Sequence, residues 1–249
     1  MIKYLYKMEC LTNMHVGNGD VNYNIIDNEV QKDAVLTDVP VIHSSGVKGA
    51  LKQHFKNQDY CETLINNIFG DEIEGQYKFF DAKLIARPLR VSSGDKPYLL
   101  ATSNCILKEF SDFLAGLGMS DVFSYAKICI PKDTFIGTVN SSLEGCTVTP
   151  TPVNEKISNI IGGEYAITNS LSDFSLPVVA RNVLEDGKSK NIWYEEIVPY
   201  KSVFCFVVMA PEATELIFED GVPVQFGGNA SIGQGYTKIT ELAHIEEVR

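Results

Sequence analysis

The stretch VPVIHSSGVKGALKQHFK, residues 39–56, decides the fold, because a helical pattern begins inside it at Ser44. Its apolar side chains recur every four residues, at Val47, Leu51 and Phe55. Lysines keep the same spacing one position later, at Lys48, Lys52 and Lys56. This spacing predicts an amphipathic helix with one basic edge.

Strand patterns lie on both sides of this helix. MIKYLYKMEC, residues 1–10, alternates apolar and polar side chains, as a half-buried strand does. After the helix, QYKFFDAKLIARPL (76–89) and KPYLLATS (96–103) predict a hairpin across a polar turn. A second helix follows in NCILKEFSDFLAGLG (104–118), and YKSVFCFVVMA (200–210) is typical of a buried central strand.

The order strand, helix, strand, strand, helix, strand is the split β-α-β arrangement of ferredoxin-like folds and of RNA-recognition modules. We therefore predict an α+β fold in a single domain over residues 1–249, since no linker or internal repeat appears. Residues 140–176 are rich in turn formers and predict an irregular insertion. Many unrelated activities share this fold, so function has to be argued from the site.

Composition narrows the classes of protein. Of the 249 residues, 45% are hydrophobic, and the net charge is -11. This negative charge argues against a free-standing nucleic-acid binder, so any RNA contact must rely on local basic patches. The six cysteines form no CxxC pair and predict reduced, mostly buried thiols. With no apolar run of roughly 20 residues and no signal-peptide pattern, we expect a cytoplasmic protein without a membrane partner.

A long polar loop, roughly residues 12–40, follows the first strand and contains HVGNGDVNYNIIDNEVQKD. Loops that contribute little to a core commonly carry function. The candidates for catalysis are His15, because imidazole exchanges protons near neutral pH, Asp27 and Asp33 in this loop, and Glu195 and Glu196 further along the chain. The chain has no nucleophile elbow, HExxH motif or clustered cysteine–histidine set. Structural or solvated positions are equally compatible with each of these side chains.

The start of the first helix is a candidate anion site. The residues concerned are Ser44, Ser45, Gly46, Lys48, Gly49 and Lys52. The first three place backbone N–H groups at the positive end of the helix dipole, and the lysines follow on one edge. The glycine inside the helix indicates that another backbone or a ligand comes close. A capped, solvated surface helix gives the same pattern.

The segment ARNVLEDGKSKNIWYEEIVPY, residues 180–200, predicts a second hairpin, because Asp186-Gly187 is a strong hairpin signal. Arg181 and Trp193 lie on its strands. Basic and aromatic groups on a projecting hairpin suit insertion between bases or contact with a neighbouring subunit. A merely solvated hairpin is equally compatible with these residues.

A glycine cluster, FGGNASIGQG (226–235), precedes the last predicted strand. At Gly228 and Gly233 the missing side chains would let a sugar-phosphate chain lie against the backbone. The cluster has neither the lysine of a Walker loop nor the spacing of a dinucleotide fingerprint. A plain turn is the alternative.

Taken together, these segments resemble the backbone-subunit family of Cmr-type (type III-B) CRISPR effectors, the family of the fourth Cmr protein in the RAMP superfamily. The resemblance runs nearly end to end through LTNMHVGNGD, IIDNEVQKD, PVIHSSGVKGAL, FFDAKLIARPLRV, YLLATSNCIL, IWYEEIVPYKSVF and FGGNASIGQGYTKI. It implies a RAMP core with a long N-terminal loop, a catalytic loop at roughly 12–40, and a projecting thumb hairpin at roughly 178–199.

The resemblance also implies partners and an activity. Several copies would stack along a guide CRISPR RNA with other Cmr-type subunits, and each thumb would interrupt the guide–target duplex at regular intervals. Each copy would act as a metal-dependent endoribonuclease that uses Mg or Mn. It would cut the complementary target RNA beside its thumb. We therefore expect activity only in the assembled complex.

Residue roles follow from matching positions. Asp27 matches the aspartate of the family's IDxPIQRE loop and is expected to be catalytic and to hold the metal. His15 matches the histidine of LTPxHxGxG, and Glu196 lies in the LWYEE stretch, so both are expected to assist. The family's guide-binding PGSSLKG corresponds to Ser45, Lys48 and Gly49, its terminal glycine loop to Gly228 and Gly233.

The chain also departs from the family pattern. His43 and Ser44 stand where Pro-Gly is usual, and Ala230 and Gln234 stand where an acid and an arginine are common. These changes motivate an alternative, a structural RNA-binding filament subunit that does not cut. A third hypothesis is a small-molecule hydrolase that uses His15 and Asp27 as an acid–base pair.

Overall fold

The computed structural model describes residues 1–19, 25–211, 216 and 218–246. Its helices are α1 (Ser44–Asn57), α2 (Glu62–Phe69), α3 (Asn104–Gly116) and α4 (Glu155–Ile161), and Ala230–Ile232 forms a 3-10 turn. The strands are β1 (Ile2–Cys10), β2 (Val41–Ile42), β3 (Lys78–Phe79), β4 (Ala82–Ser93), β5 (Tyr98–Ser103), β6 (Phe135–Gly137), β7 (Ser141–Leu143), β8 (Cys146–Pro150), β9 (Tyr165–Thr168), β10 (Val178–Glu185), β11 (Lys188–Glu196), β12 (Val203–Ala210), β13 (Val224–Gln225) and β14 (Tyr236–Glu246). Both helices predicted from the sequence are present, and none in these ranges is long and apolar enough to span a membrane.

The main sheet contains β13, β14, β1, β12 and β4 side by side in that order. Each of these strands is antiparallel to its neighbours in this series. β1 lies between β14 and β12, with Tyr6 opposite Glu241 on one side and Phe206 on the other. β12 is buried along almost its whole length, because the sheet is covered on both faces. The apolar run predicted to form a central strand is confirmed.

β4 also belongs to a second arrangement of strands. Its second half pairs with β5 and β7, and the order runs through β9, β6 and β8 back to β7, which closes a barrel-like ring. The hairpin predicted over 76–103 is β4 and β5, but β5 lies in this ring and not beside β1.

The prediction of an irregular insertion over residues 140–176 is wrong. This segment supplies β7, β8, α4 and β9, three of which belong to the barrel-like ring. The strands are only three, five and four residues long. Strands this short contain too few alternations to be recognised among turn-forming residues.

The main sheet has an apolar core on each face. β12 alternates between them: Phe204, Phe206 and Val208 face one core, and Val203, Cys205 and Val207 face the other. α1 covers the first core with Val47, Leu51 and Phe55, and α3 covers the second with Leu107, Phe110 and Leu114. Burial of each such side chain contributes about 1.5–3 kcal/mol, so both helices are held by their apolar stripes.

The cysteines are free thiols, as expected, but the prediction that most of them are buried is wrong: Cys10 and Cys205 are buried, and Cys61, Cys105 and Cys129 are exposed. Burial raises the pKa of Cys10 to about 12, with a smaller contribution from the charge of Glu9. Cys205 is also fully buried, and burial raises its pKa further. These two thiols are therefore unreactive core residues.

β10 and β11 form a hairpin that is separate from the main sheet. Its turn, Asp186-Gly187, has φ values of 50° and 74°, the left-handed conformation that favours glycine. Most of its residues are exposed, so the hairpin projects from the body. The N-terminal loop returns to its base, where Asn28 bridges Glu195. Residues 20–24 of the predicted catalytic loop lie outside the described residues.

Candidate functional site

Asp27 is fixed against the base of the hairpin. Its backbone N–H donates to the carbonyl of Tyr194 at 3.1 Å, and its Oδ2 accepts the N–H of Tyr194 at 2.8 Å. The N–H of Glu196 in turn donates to the carbonyl of Asn28 at 2.9 Å. The loop thus pairs with β11 like a third strand. Asp27 itself is exposed, so its carboxylate is both held in place and accessible.

His15 lies earlier in the same N-terminal loop and is buried. Its Nδ1 lies 2.8 Å from the carbonyl oxygen of Glu196, and its own carbonyl accepts the N–H of Gly228 at 2.9 Å. A carbonyl only accepts hydrogen bonds, so Nδ1 carries the proton and Nε2 is the acceptor in the neutral ring. His15 therefore joins the hairpin base to the glycine loop, and it shares no hydrogen bond with Asp27 among the described residues.

Glu196 is buried and holds the N-terminal loop. Its Oε2 accepts the N–H of Val30 at 3.2 Å and lies 3.5 Å from Nζ of Lys32. Both contacts come from the segment just after Asp27. The carboxylate of Glu196, predicted to assist catalysis, thus points toward the N-terminal loop. Its contacts are those of a positioning residue.

Glu195, the neighbouring carboxylate, collects the largest set of side-chain contacts at this place. Its donors are Asn28 (3.4 Å), Arg181 (3.0 Å), Trp193 (2.8 Å) and Asn229 (3.1 Å). Burial opposes ionisation, but the hydrogen bonds from Trp193 and Arg181 and the charge of Arg181 hold the pKa of Glu195 below its ordinary value. This carboxylate connects the N-terminal loop, the hairpin and the glycine loop.

Arg181 is engaged within the protein. Besides its ion pair with Glu195, its guanidinium lies 5.5 Å from the ring centre of Trp193. The two residues face each other across the hairpin. Its role in RNA binding stays a prediction, and the structure gives it a second one, since it fixes the orientation of the indole.

The glycine loop contains a site residue that sequence reasoning missed. Asn229 has φ of 63° and donates to Glu195, whereas the sequence drew attention only to the glycines around it. A polar residue between glycines was the available signal, because Asn tolerates the left-handed conformation. A Cβ on Gly227 would lie 2.2 Å from the carbonyl oxygen of His15, but one on Gly228 or Gly233 would meet nothing closer than 3.9 Å. The close backbone approach at Gly227 is therefore made within this chain.

The start of α1 differs from the prediction at Ser44. Its N–H is not free, since it donates to Oδ1 of Asp81 at 2.7 Å, and Oδ2 of Asp81 lies 3.7 Å from Nδ1 of His43. A carboxylate of the chain itself thus occupies part of the positive helix end. Ser45 and Gly46 are exposed in the first turn.

The basic edge of α1 lines an open groove of about 370 Å³. One wall carries Ser45, Lys48, Gly49 and Lys52, and the other carries Asp71, Glu72, Ile73 and Glu74. Lys52 donates to the carbonyl of Gly70 at 2.7 Å and lies 3.7 Å from Asp71. A Cβ on Gly49 would meet no atom within 4 Å, so the close approach predicted there is not made by this chain.

The two candidate sites are connected through the N-terminal loop. Oε1 of Gln31 accepts the N–H of His43 at 3.1 Å, at the start of α1. Gln31 is four residues beyond Asp27, and four residues span at most about 14 Å. The helix start and the exposed carboxylate are therefore joined by a short segment of the N-terminal loop.

This fold and this grouping of loops belong to a known family. The chain is a member of the RAMP superfamily, whose model matches residues 7–238. It is 26% identical to the CRISPR system Cmr endoribonuclease Cmr4 of Pyrococcus furiosus over an alignment of 288 positions including gaps, with 96% of each chain covered. The resemblance stated from the sequence is confirmed.

Solved structures agree with this assignment. A chain of the type III-B Cmr-beta complex bound to cognate target RNA superposes with a TM-score of 0.79 at 22% identity, covering 96% of this chain and 97% of that one. Oligomeric Cmr4 from Pyrococcus furiosus superposes with a TM-score of 0.71 at 25% identity, covering 98% and 100%.

Proposed function

We propose that this chain is the backbone subunit of a type III-B CRISPR effector, which binds guide RNA and cleaves complementary target RNA beside Asp27. The observation that carries the proposal is the exposed carboxylate of Asp27, held by Tyr194 at the root of a projecting hairpin. The similar Pyrococcus protein is named an endoribonuclease, and the similar Cmr-beta structure contains target RNA.

Assembly with copies of itself and with other Cmr-type subunits is part of this proposal. A similar Cmr4 is oligomeric in its crystal. A chain with a net charge of -11 that carries its basic edge in one groove has few phosphate contacts to offer as a single copy. Several copies along one guide would add these contacts together.

We assign the core and the hairpin the roles of palm and thumb. In a split β-α-β sheet the first strand lies between the third and the fourth. The spatial order β14, β1, β12, β4 supports a ferredoxin-like arrangement with β12 rather than β5 as the third strand, but α3 precedes this strand in the chain, whereas the split β-α-β order places the second helix after it. The thumb is then the hairpin of β10 and β11, whose apolar side chains Val183, Leu184 and Ile192 are exposed.

The chemistry that suits this geometry is attack by a 2′-hydroxyl on the adjacent phosphorus. The hairpin displaces a target nucleotide, so that the 2′-oxygen lies in line with the leaving 5′-oxygen. The new O–P bond gives a 2′,3′-cyclic phosphate, the P–O5′ bond breaks, and the 5′-oxygen takes a proton from water. Asp27 orients the 2′-hydroxyl and takes its proton, which then passes to the hydroxide left by the water that protonates the 5′-oxygen. Since a carboxylate is a weak base, positioning supplies most of the rate.

A divalent ion fits this site only in part. Within the described residues no group of three or more His, Cys, Asp or Glu side chains is arranged to hold a metal. Asp27 would supply one ligand, and a Mg or Mn ion takes its other ligands from RNA phosphates and water. When bound, the ion would stabilise the charge that develops on the phosphate oxygens. Its affinity should therefore depend on bound RNA.

The experiment is cleavage of a matched target by the assembled complex that carries Asp27→Ala or Asp27→Asn. The asparagine can still accept the N–H of Tyr194, so it removes the charge and keeps the loop in place. We expect both variants to bind guide and target normally and to lose regularly spaced cuts by about a hundredfold or more. Glu29→Ala, a carboxylate change two residues further on, is the matched control and should cut normally. Spaced cutting that survives in Asp27→Ala would exclude this role.

The alternative of a structural subunit that does not cut has an observation in its favour. The guide-binding groove has an acidic wall, and the N–H of Ser44 is already bound by Asp81. Wild-type complex that protects target RNA but never cuts it with magnesium would establish this alternative. The third hypothesis, a hydrolase that pairs His15 with Asp27, loses support, since the two bind different backbone groups of β11.

A further inference from the structure

Arg87 is a buried cation at the place where β4 leaves the main sheet. Ala86 still pairs with Val203 of β12, and Arg87 is the first residue to pair with β5, opposite Ala101. Its side chain is only 4% exposed. A charged residue is rarely buried so completely unless its donors are satisfied.

The guanidinium binds the segment that leads into the hairpin. Nη1 donates to the carbonyl of Ser175 at 3.2 Å, and Nη2 donates to the carbonyl of Leu171 at 3.4 Å and to that of Phe174. Three carbonyls of one turn therefore converge on a single planar group. The hairpin begins three residues beyond Ser175, at Val178.

The charge of Arg87 is opposed by carboxylates around the hairpin base. Burial lowers the pKa of Arg87 to about 10, whereas the charges of Glu196 and Glu144 act in the opposite direction. The group stays charged at neutral pH. Glu196 is the last residue of β11 and pairs with Val178, the first residue of β10. The opposite charges of Arg87 and Glu196 therefore act on each other at the base of the hairpin.

Contacts continue from this root to the exposed carboxylate. The N–H of Ile197 donates to the carbonyl of Pro177 at 2.9 Å, which ties the exit of the hairpin to its entry. Two residues before Glu196, Tyr194 holds Asp27. A shift of residues 171–177 would therefore reach Asp27 through hydrogen-bonded backbone.

We propose that Arg87 is a positioning residue that fixes the hairpin relative to Asp27 by donating hydrogen bonds to the turn Leu171–Ser175. Its effect on cleavage rests on the proposed function; its effect on the hairpin does not. An apolar residue would pack in this space without the cost of burying a charge. The rigid fork of arginine binds several carbonyls in one plane, which an apolar side chain cannot do and which the flexible ammonium of lysine does not reproduce in the same fixed geometry.

The test uses Arg87→Lys and Arg87→Met in the assembled complex. Lysine keeps the charge and loses the fork, and methionine keeps much of the length without the charge. Arg90→Lys is the matched control, because Arg90 lies on the same strand with a side chain that is 78% exposed and 3.8 Å from Glu144. Three quantities are measured: amide hydrogen exchange at Tyr194 and Ile197, the rate and positions of target cuts, and the thermal midpoint.

For Arg87→Lys we expect faster exchange at both amides, a cut rate lower by on the order of ten- to a hundredfold, and less uniform cut positions. Guide binding should stay close to that of Arg90→Lys, and the thermal midpoint should fall below it, because buried carbonyls lose hydrogen-bond donors. Exchange at wild-type rates in both Arg87 variants would overturn the proposal, and so would faster exchange with unchanged cutting. If the wild-type complex does not cut, the proposed function fails, and exchange alone then decides the role of Arg87. The lysine variant decides it if Arg87→Met does not fold.

Discussion

Glu195 is buried, and its carboxylate accepts hydrogen bonds from four side chains on three segments of the chain. In Glu195→Gln the amide nitrogen would face groups that are themselves donors. We expect the free energy of unfolding to fall by about 2 kcal/mol at neutral pH, because hydrogen bonds to a charged group are lost. Denaturant titration measures this loss. The control is Glu185→Gln, an exposed change at the hairpin tip, expected within about 0.5 kcal/mol of wild type.

The same carboxylate gives the stability a defined pH dependence. Its pKa in the folded protein lies below the value of 4.5 for an unperturbed glutamate. The folded state therefore favours the ionised form, and this contribution is fully present above pH 4.5 and is lost as pH falls through the lower folded pKa. The difference between wild type and Glu195→Gln should shrink in denaturant titrations at about pH 3. A difference that grows on acidification would contradict this assignment.

Two lysines of α1 can distinguish guide binding by the groove from guide binding by the whole basic edge of the helix. Lys48 lines the groove, and Lys56 lies on the same edge beyond it. We expect Lys48→Ala to weaken guide binding by the assembled complex and to lower the slope of log affinity against log salt by about 0.7 per copy. Guide retention at increasing salt measures this slope. Lys56→Ala should leave it unchanged, and equal losses in both variants would show that the groove has no special role.

The elements differ in how much of them could be read from sequence. α1, the hairpin of β4 and β5, and β12 follow from periodicity, because each is long enough to repeat its pattern. The barrel-like ring does not, since its shorter strands show no repeat of their own. At the site, Asp27 and His15 were recognisable as unusual loop residues. Their contacts with β11 join positions more than 160 residues apart, with separations of 167 and 181, and local pattern cannot reveal such contacts.

The molecule keeps its stability and its RNA contacts in different places. Two apolar cores hold the sheet from both faces; the N-terminal loop adds Met14, Val16 and Val30 to the first core, whereas the exposed side chain of Asp27 lies outside both. Changes such as Asp27→Asn can therefore remove chemistry and leave the fold intact. An acidic chain with lysines on one wall of a groove offers few phosphate contacts of its own, so we expect the complex, not the single copy, to be the unit that binds RNA.

Filaments that mix wild-type and Asp27→Ala copies test whether each copy cuts by itself. Each copy carries its own Asp27 and its own hairpin, and the contacts that fix them lie within one chain. We therefore expect every cut position to weaken in proportion to the fraction of mutant copies, with the spacing unchanged, because distant sites act independently. Sequencing gels of end-labelled target measure both quantities. Loss of all cuts at a low fraction of mutant copies would show instead that one carboxylate serves sites in neighbouring copies.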